Sequence, residues 1–398
     1  MKKFKSIITL SIIIFSLFCY GCNQEGSPSL YEDEPAGTAP VISGIVPADA
    51  ALAGVTEVSI SGSNFSNVPE HNFVFFGTAK ATVISASTNL LVVKAPVLIQ
   101  ENVELKIAVQ GSENFSNKIS YNLLEASGEY YGFMDFETPY ALTIDNNNNI
   151  FFSLVSSNIG QGVMKLAPDG TVTNFAPKGG ETFYNDLKMG KNNIIYGARN
   201  ARAIFAIEEG KNPAVFVTFP TGTVITELDI DQNDNIWAAG KGNNIFSADI
   251  NKNVKSFPVN YTVNALRVFN GYLYAAGTND TEEAVWRYNI VSANELGAEE
   301  KYFDIAGAFG LAAVAVNAIT FSNDGDLYLG TDQEDPIIVV HADKSYENLY
   351  PGVVFPSVYA FTWGNNNNLF YTREAKGDFT QTIIRVDMQK SGAPYYGK

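Results

Sequence analysis

Residues 140–152 read Tyr-Ala-Leu-Thr-Ile-Asp-Asn-Asn-Asn-Asn-Ile-Phe-Phe. An alternating apolar run, typical of a half-buried strand, leads into a polar turn, and a second apolar run follows at once. The same pattern occurs six times, with its first apolar residue at positions 142, 187, 228, 266, 319 and 361. Successive positions differ by 45, 41, 38, 53 and 42 residues. A period near forty with strand patterning predicts the blades of a β-propeller.

A third apolar run belongs to each repeat, and in most copies a fourth run follows it. The third runs lie at 163–166, 204–207, 245–248, 285–288, 337–340 and 383–386. Four strands in each of six units predict a six-bladed propeller over residues 124–398. The pattern resembles that of NHL-type six-bladed propellers, without a diagnostic enzyme motif. Either residues 129–133 or the tail at 391–398 supplies the last outer strand; we favour the former, since joining the two ends removes a free sheet edge.

The asparagine-rich turns and the tryptophans follow the same repeat. The turns at 145–149, 231–235, 323–326 and 365–368 fall between the first and second strands, where Asn and Asp stabilise tight backbone turns. They lack the EF-hand pattern, so we interpret them as turns and not as calcium loops. Trp237, Trp286 and Trp363 share repeat positions with apolar residues, which predicts packing between blades and not sugar platforms.

A separate region, residues 40–123, contains short period-2 runs separated by Gly, Asn and Pro. Several such strands within about 85 residues favour an Ig-like β-sandwich. Its residues resemble the IPT/TIG family at Ile-x-x-Ile-x-Pro (42–47), Ile-x-Gly-x-Asn-Phe (60–65) and Val-x-Phe-Gly (74–77). In secreted bacterial proteins this resemblance implies a spacer or a protein-contact module. The fold class is therefore all-β, a sandwich followed by a propeller.

The N-terminus has the features of an export signal. A basic start at residues 2–5 precedes a short apolar run at 6–18, which is too short for a comfortable transmembrane helix. Gly21 before Cys22 resembles a bacterial lipoprotein signal, which implies cleavage after residue 21 and lipidation of Cys22. An ordinary cleaved signal peptide or an uncleaved anchor are the alternatives. Residues 22–39, rich in Gly, Pro, Ser and acids, then read as a flexible tether that holds the body near a membrane.

Composition excludes several classes of function. The formal net charge is −16, and an acidic surface repels phosphate backbones, so we expect no nucleic-acid partner. Cys19 and Cys22 are the only cysteines, and His71 and His341 are the only histidines. Neither a disulfide framework nor a three-histidine zinc site can form in the folded body. We expect no cofactor, and we expect both histidines to be solvated.

Candidate site residues lie at the face where the first strand of each blade begins, because ligands of propellers usually gather there. These strands start at polar or amphipathic residues, and the loops between second and third strands share the same face. The predicted ligand-binding residues are Tyr140, Asn185, Thr226, Asn264, Asn317 and Tyr359 from the strand starts, and Arg199, Lys241, Asp280, Asp332 and Arg373 from the loops. Amide and hydroxyl groups beside aromatic rings suit a glycan or another polar ligand, although they equally satisfy backbone groups near channel water.

Three functions remain open. The first is a non-catalytic, membrane-anchored envelope lipoprotein, on the outer membrane and facing either the periplasm or the exterior, that binds a polysaccharide or a protein partner. The second is a lactonase-like or lyase-like propeller enzyme. The resemblance to those families implies a channel metal, for which Asn185, Asp186, Glu227, Asn264 and Asn317 are the candidate ligands. The third is a scaffold within an envelope complex.

Overall fold

A computed structural model describes residues 37–398. These residues form a β-sandwich and a ring of six sheets. The predicted signal segment, Cys22 and nearly all of the predicted tether lie outside the described residues. Within 37–398, no helix combines the length and the apolar character needed to cross a membrane.

The sandwich has two sheets, with strand orders β1-β3-β7-β6 and β2-β9-β8-β4-β5. Its strands are β1 (Val41–Val46), β2 (Ala50–Leu52), β3 (Glu57–Ser63), β4 (Asn72–Phe76), β5 (Ala79–Lys80), β6 (Thr82–Ala86), β7 (Leu90–Lys94), β8 (Gln100–Val109) and β9 (Ile119–Leu124). Every second side chain points between the sheets, so Val58 and Ile60 of β3 and Val74 of β4 are fully buried. A one-turn 3-10 helix (Pro69–His71) precedes β4.

The ring contains six antiparallel sheets, one for each predicted repeat. The first blade consists of β11 (Glu137–Ile144), β12 (Ile150–Ser156), β13 (Ile159–Leu166) and β14 (Val172–Ala176), and the second of β15 (Asp186–Met189), β16 (Ile195–Ala198), β17 (Ala203–Ile207) and β18 (Ala214–Thr218). The third blade consists of β19 (Val224–Ile230), β20 (Ile236–Lys241), β21 (Asn244–Ala248) and β22 (Val254–Pro258). A one-turn 3-10 helix (Lys191–Asn193) joins β15 to β16.

The fourth blade is the most elaborate. It consists of β23 (Thr262–Phe269), β24 (Tyr272–Thr278), β25 (Glu283–Ser292) and β27 (Glu300–Asp304), with the short β26 (Glu295–Leu296) extending β25. A five-residue helix, α1 (Ile305–Phe309), leads to the fifth blade, which consists of β28 (Val316–Phe321), β29 (Leu327–Thr331), β30 (Ile337–Val340) and β31 (Tyr346–Asn348). The sixth blade contains β32 (Ala360–Trp363), β33 (Asn368–Arg373) and β34 (Thr382–Asp387).

The strand that completes the sixth blade comes from the N-terminal side of the propeller. Strand β10 (Ser127–Gly132) pairs antiparallel with β34, from Ser127 opposite Val386 to Gly132 opposite Thr382. The favoured alternative for ring closure is therefore confirmed. Strand β10 thus covers the edge of β34, and because it continues into the first blade it links the last blade to the first.

The C-terminal segment, residues 391–398, instead crosses the channel at the ends of the first strands. The backbone N–H of Ala393 donates to the Phe321 carbonyl, and Lys398 Nζ donates to the Trp363 carbonyl at 3.3 Å. Gly397 lies so close to the second blade that an added Cβ would stand 2.3 Å from the Met189 carbonyl oxygen. The channel is thus filled at this end by the chain itself.

The free inner edges of the first strands are capped by side chains from the preceding blade. Met189 N donates to Thr143 Oγ1 at 2.9 Å, Leu228 N to Asp186 Oδ2 at 3.1 Å, and Val268 N to Asp229 Oδ2 at 2.7 Å. A strand at the centre of a propeller has no neighbour on its inner side, so its N–H groups need such partners. Thr143 and Asp229 occupy the third position of the repeat and Asp186 the first, and each supplies a hydrogen-bond acceptor to the next blade.

The turn and tryptophan predictions agree with the structure. Asp145 Oδ1 accepts from the backbone N–H groups of Asn147 and Asn149, and Asp231 repeats this arrangement and also accepts from Trp237 Nε1 at 2.9 Å. All three tryptophans are at most 2% exposed. One expectation needs correction: His341 is not simply solvated, because its Nδ1 lies 3.1 Å from Asp326 Oδ1 and its Nε2 lies 3.5 Å from Glu347 Oε1.

The sandwich contacts the propeller beside the sixth blade. Leu52 and Ala126 are buried together with Val353, and Gln389 Nε2 approaches Thr56 Oγ1 at 3.5 Å. Gln389 follows β34, at the end of the blade where its asparagine-rich turn also lies. The first strands begin at the opposite end, so this polar contact lies away from the channel mouth.

Candidate functional site: a cavity at the channel mouth

The residues that begin the first strands face the channel because the backbone bulges there. In the third, fourth and fifth blades the pairing register skips one residue, and the skipped residues are Thr226, Asn264 and Asn317. A bulge re-aims the side chain of its extra residue and interrupts the ladder locally. The sequence signal is a polar residue that breaks the alternation just before the apolar core of the strand.

Together these residues surround a cavity of about 620 Å³. That volume lies within the range typical of small-molecule sites. Six of the eleven predicted ligand-binding residues line it: Asn185, Thr226, Lys241, Asn264, Asn317 and Tyr359. Asp186 and Glu227, the acidic candidates of the enzyme hypothesis, line it as well.

Two charged lining residues, Lys188 and Glu374, were missed by the sequence analysis. Lys188 occupies the third repeat position, where the first, fifth and sixth blades carry threonine, and this departure from the repeat was a usable signal. Glu374 directly follows the predicted residue Arg373 in the loop between β33 and β34. Only the tertiary structure distinguishes the two neighbours, because Arg373 is buried and Glu374 turns toward the cavity.

The remaining predicted residues do not line this cavity. Arg199 pairs with the buried Glu181 carboxylate at 2.7 Å, and Arg373 Nε donates to the Thr380 carbonyl at 2.8 Å. Asp332 lies 3.5 Å from Lys376 Nζ, and Asp280 is exposed in the turn between β24 and β25. Tyr140 stands behind Tyr359, with ring centroids 5.3 Å apart. The contacts of Arg199, Arg373 and Asp332 stabilise the loops around the mouth.

The carboxyl groups of Asp186 and Glu227 differ in the hydrogen bonds that they accept. Asp186 accepts hydrogen bonds from Leu187 N, Leu228 N and Lys188 Nζ, whereas Glu227 has no such bonds among the described residues. Burial raises the pKa of Glu227 well above its usual value, and the nearby Asp186 carboxylate raises it further. A carboxyl group held in this way favours its protonated form, which donates as well as accepts hydrogen bonds.

Tyr359 connects the cavity to its rim. Burial raises the pKa of its phenol, with smaller contributions from Glu227 and Glu374, so the hydroxyl stays protonated. Burial also raises the pKa of Glu374 and of Tyr140. Tyr140 in turn stacks on Phe183, with centroids 4.1 Å apart and planes 14° from parallel. The cavity wall therefore contains the Tyr359 hydroxyl and carboxyl groups whose pKa is raised, and the stacked rings of Tyr140 and Phe183 stand behind Tyr359.

The floor of the cavity is sealed. Below Glu227, Asp229 Oδ2 accepts from Arg267 Nη1 at 2.9 Å, and these side chains are 2% and 1% exposed. Arg267 also donates to the carbonyls of Pro394 and Ala393, and its guanidinium lies 4.1 Å from the Tyr395 ring centre. The ion pair and the C-terminal segment close the channel, so the cavity opens on one side of the ring.

The helix after the fourth blade packs mainly on the neighbouring blades. Phe309 of α1 contacts Tyr346, and Ala312 N donates to Glu283 Oε2 at 3.1 Å. Ala315 and Val316 form part of the cavity wall, so only the end of this segment reaches the site. Among residues 37–398, no group of three His, Cys, Asp or Glu side chains is arranged to hold a metal ion.

Comparison with known families identifies the N-terminal region. Residues 40–124 match the family model described as the IPT/TIG domain. This match confirms the IPT/TIG family that the motifs at 42–47, 60–65 and 74–77 predict for this region. No curated protein matches the chain.

Solved structures resemble the chain in fold. A protein of Bacteroides thetaiotaomicron named "putative phosphatase" superposes with a TM-score of 0.57 at 11% identity, covering 89% of this chain and 99% of its own. A "putative gluconolactonase" gives 0.53 at 12% identity, covering 67% and 93%. An auxiliary nutrient binding protein of Bacteroides ovatus gives 0.49 at 10% identity, covering 89% and 99%. The two likenesses above 0.5 show a shared fold and nothing about activity.

Proposed function

We propose that this protein is a non-catalytic, membrane-anchored envelope lipoprotein that binds a glycan in the cavity at the channel mouth. The observation that carries the proposal is the lining itself. Asn185, Asn264 and Asn317 present amides, Tyr359 a hydroxyl, and Glu227 a carboxyl whose pKa is raised. Mixed donors and acceptors without a dominant charge suit a neutral, hydroxyl-rich ligand.

The placement of the sandwich supports this proposal. Gln389, which approaches the sandwich, lies at the blade end opposite the cavity. A tether preceding residue 40 would then leave the cavity facing away from the anchored end. We propose lipidation of Cys22 as the anchor. A Cys22→Ala variant should move from the membrane to the soluble fraction and lose lipid mass, and unchanged membrane association would contradict this part.

Glycan binding can be tested by calorimetry on a panel of gluco-, xylo- and manno-oligosaccharides of one to four units. Asn264→Ala and Glu227→Ala should each weaken binding about tenfold or more, because each loss leaves a ligand hydroxyl without its partner. Asp280→Ala, on the same face but outside the cavity, is the matched control and should bind normally. Absence of binding across the panel would refute the glycan assignment.

A metal-dependent enzyme is the second candidate, and one observation favours it: Asn185, Asp186, Glu227, Asn264 and Asn317 all line the same cavity. Oxygen ligands of this kind suit Ca²⁺ or Mg²⁺. Asp186 already accepts from two backbone N–H groups and Lys188, which leaves it little further capacity. Elemental analysis and thermal shift with Ca²⁺, Mg²⁺ or Mn²⁺ would decide: a bound metal lost in Glu227→Gln supports the enzyme.

A further inference from the structure

We propose that the cavity takes the terminal unit of a glycan chain and that a smaller neighbouring cavity takes the next unit. This inference rests on the proposed glycan ligand and adds which part of the glycan the protein binds. A through-channel or an open groove would accept an internal segment. Here the Asp229–Arg267 pair and residues 391–398 close the floor, so a chain can enter only by its end.

A smaller cavity, of about 310 Å³, indicates the direction in which the glycan extends from the larger cavity. Its wall contains Glu181, Phe183, Arg199 and Asn200. Asn200 also lines the larger cavity, so the two cavities adjoin. A ligand longer than one unit can therefore pass from the larger cavity over Asn200 into the smaller one.

The smaller cavity holds the groups that recognise a sugar ring. Phe183 is half-buried, and Tyr140 stacked on it limits its rotation. Arg199 is held by Glu181, whose side chain is 1% exposed, and its guanidinium packs 3.8 Å from the Phe205 ring centre. A fixed aromatic ring beside a fixed guanidinium offers an apolar surface for C–H groups and donors for hydroxyls. Such rigidity lowers the entropic cost of binding.

The test compares oligosaccharides of one to four units from the series that binds in the panel. Affinity should rise about tenfold from one unit to two and change little thereafter, since the cavities provide two subsites. Phe183→Ala should abolish the gain from the second unit and leave binding of the methyl glycoside unchanged. Phe379→Ala is the matched control, because Phe379 also stacks on an aromatic ring, Phe355, in a loop at the mouth but outside both cavities.

A second measurement separates end binding from internal binding. The parent polysaccharide is titrated before and after partial acid hydrolysis, at equal mass. Recognition of chain ends predicts that the number of binding sites rises in proportion to the number of ends. A constant number of sites per mass, or affinity that keeps rising to four units, would overturn this inference while leaving glycan binding intact. Absence of any binding would instead refute the proposed function itself.

Discussion

The inner strands of blades two to four differ from those of blades one, five and six. At the first and third positions of the repeat, the former carry Asp186, Lys188, Glu227, Asp229 and Arg267, with a single alanine at 265. The latter carry only alanine and threonine, at 141, 143, 318, 320, 360 and 362. Both halves occupy equivalent positions in one ring, so the fold does not require the charges.

The difference shows which features serve the fold and which serve the site. Thr143 caps the next blade from the third position as Asp229 does, so an acceptor at this position needs no charge. Charged groups in a channel cost desolvation free energy, which natural proteins tolerate chiefly at functional sites. At these positions the charged half supplies the floor pair and the charged side chains of one wall, whereas the uncharged half contributes only the alanines at 318 and 360 to the lining.

Among the substitutions that test this comparison, Arg267→Met should lower the stability most. The substitution leaves Asp229 buried without its cation and frees the carbonyls of residues 393 and 394, and loss of one partner of a buried pair costs about 3–5 kcal/mol. The loss in the free energy of unfolding is measured by urea denaturation, with tryptophan fluorescence as the signal. Arg287→Met, in the more exposed pair with Glu300, is the control and should cost about 1 kcal/mol or less. Equal losses in both variants would contradict the prediction.

Converting the charged pair to the pattern of the other half should recover part of this loss. In Asp229→Thr combined with Arg267→Thr, no charge is orphaned, and a threonine hydroxyl can cap Val268 N as Thr143 caps Met189 N. We expect the double variant to be about 1–3 kcal/mol more stable than Arg267→Thr alone. A double-mutant cycle in urea provides the comparison, and strictly additive losses would show that the two side chains act independently.

Thr320→Val tests the uncharged half. Thr320 is fully buried, and its hydroxyl accepts from Trp363 Nε1 at 3.1 Å, so valine leaves the indole N–H unpaired at a cost of about 1–3 kcal/mol. Thr362→Val is the control, at the equivalent position of the sixth blade and likewise buried. If the two variants unfold at the same urea concentration, the Trp363 hydrogen bond contributes nothing measurable.

Glu227→Gln should have the smallest effect on stability, and unlike the other single substitutions it should stabilise the protein. The pKa of Glu227 is higher in the folded state than its unfolded-state value of 4.5. Its protonated form therefore stabilises the folded state below pH 4.5, and this contribution to the free energy of unfolding is lost as the pH rises through the folded-state pKa. Glutamine removes this loss. Near pH 4 the variant and the native chain should melt alike, and at pH 8 the variant should melt higher, by about 2–4 °C per kcal/mol. Lower stability of the variant at pH 8 would contradict the raised pKa.

Much of the fold could be predicted because it repeats. Alternating residues such as Leu142 and Ile144, followed by an Asx turn, specify a strand and its turn locally, and six copies specify six blades. The closure by β10 could only be favoured, since pairing of residues 127–132 with 382–386 joins segments about 250 residues apart. The path of residues 391–398 could not be predicted, because their partners come from several blades.

For the site, the sequence alone identified the strand starts, and thereby Asn185, Thr226, Asn264, Asn317 and Tyr359, because position in a repeat fixes position in the ring. It did not separate Glu374 from Arg373, and it gave no sign that Asp229 and Arg267 would close the floor. Those outcomes depend on burial, on bulges and on contacts between distant blades, which a repeat pattern does not contain. The sequence determined where a site could lie. Only tertiary packing decided that the channel is closed at one end, because this closure required the C-terminal segment to return across the ring.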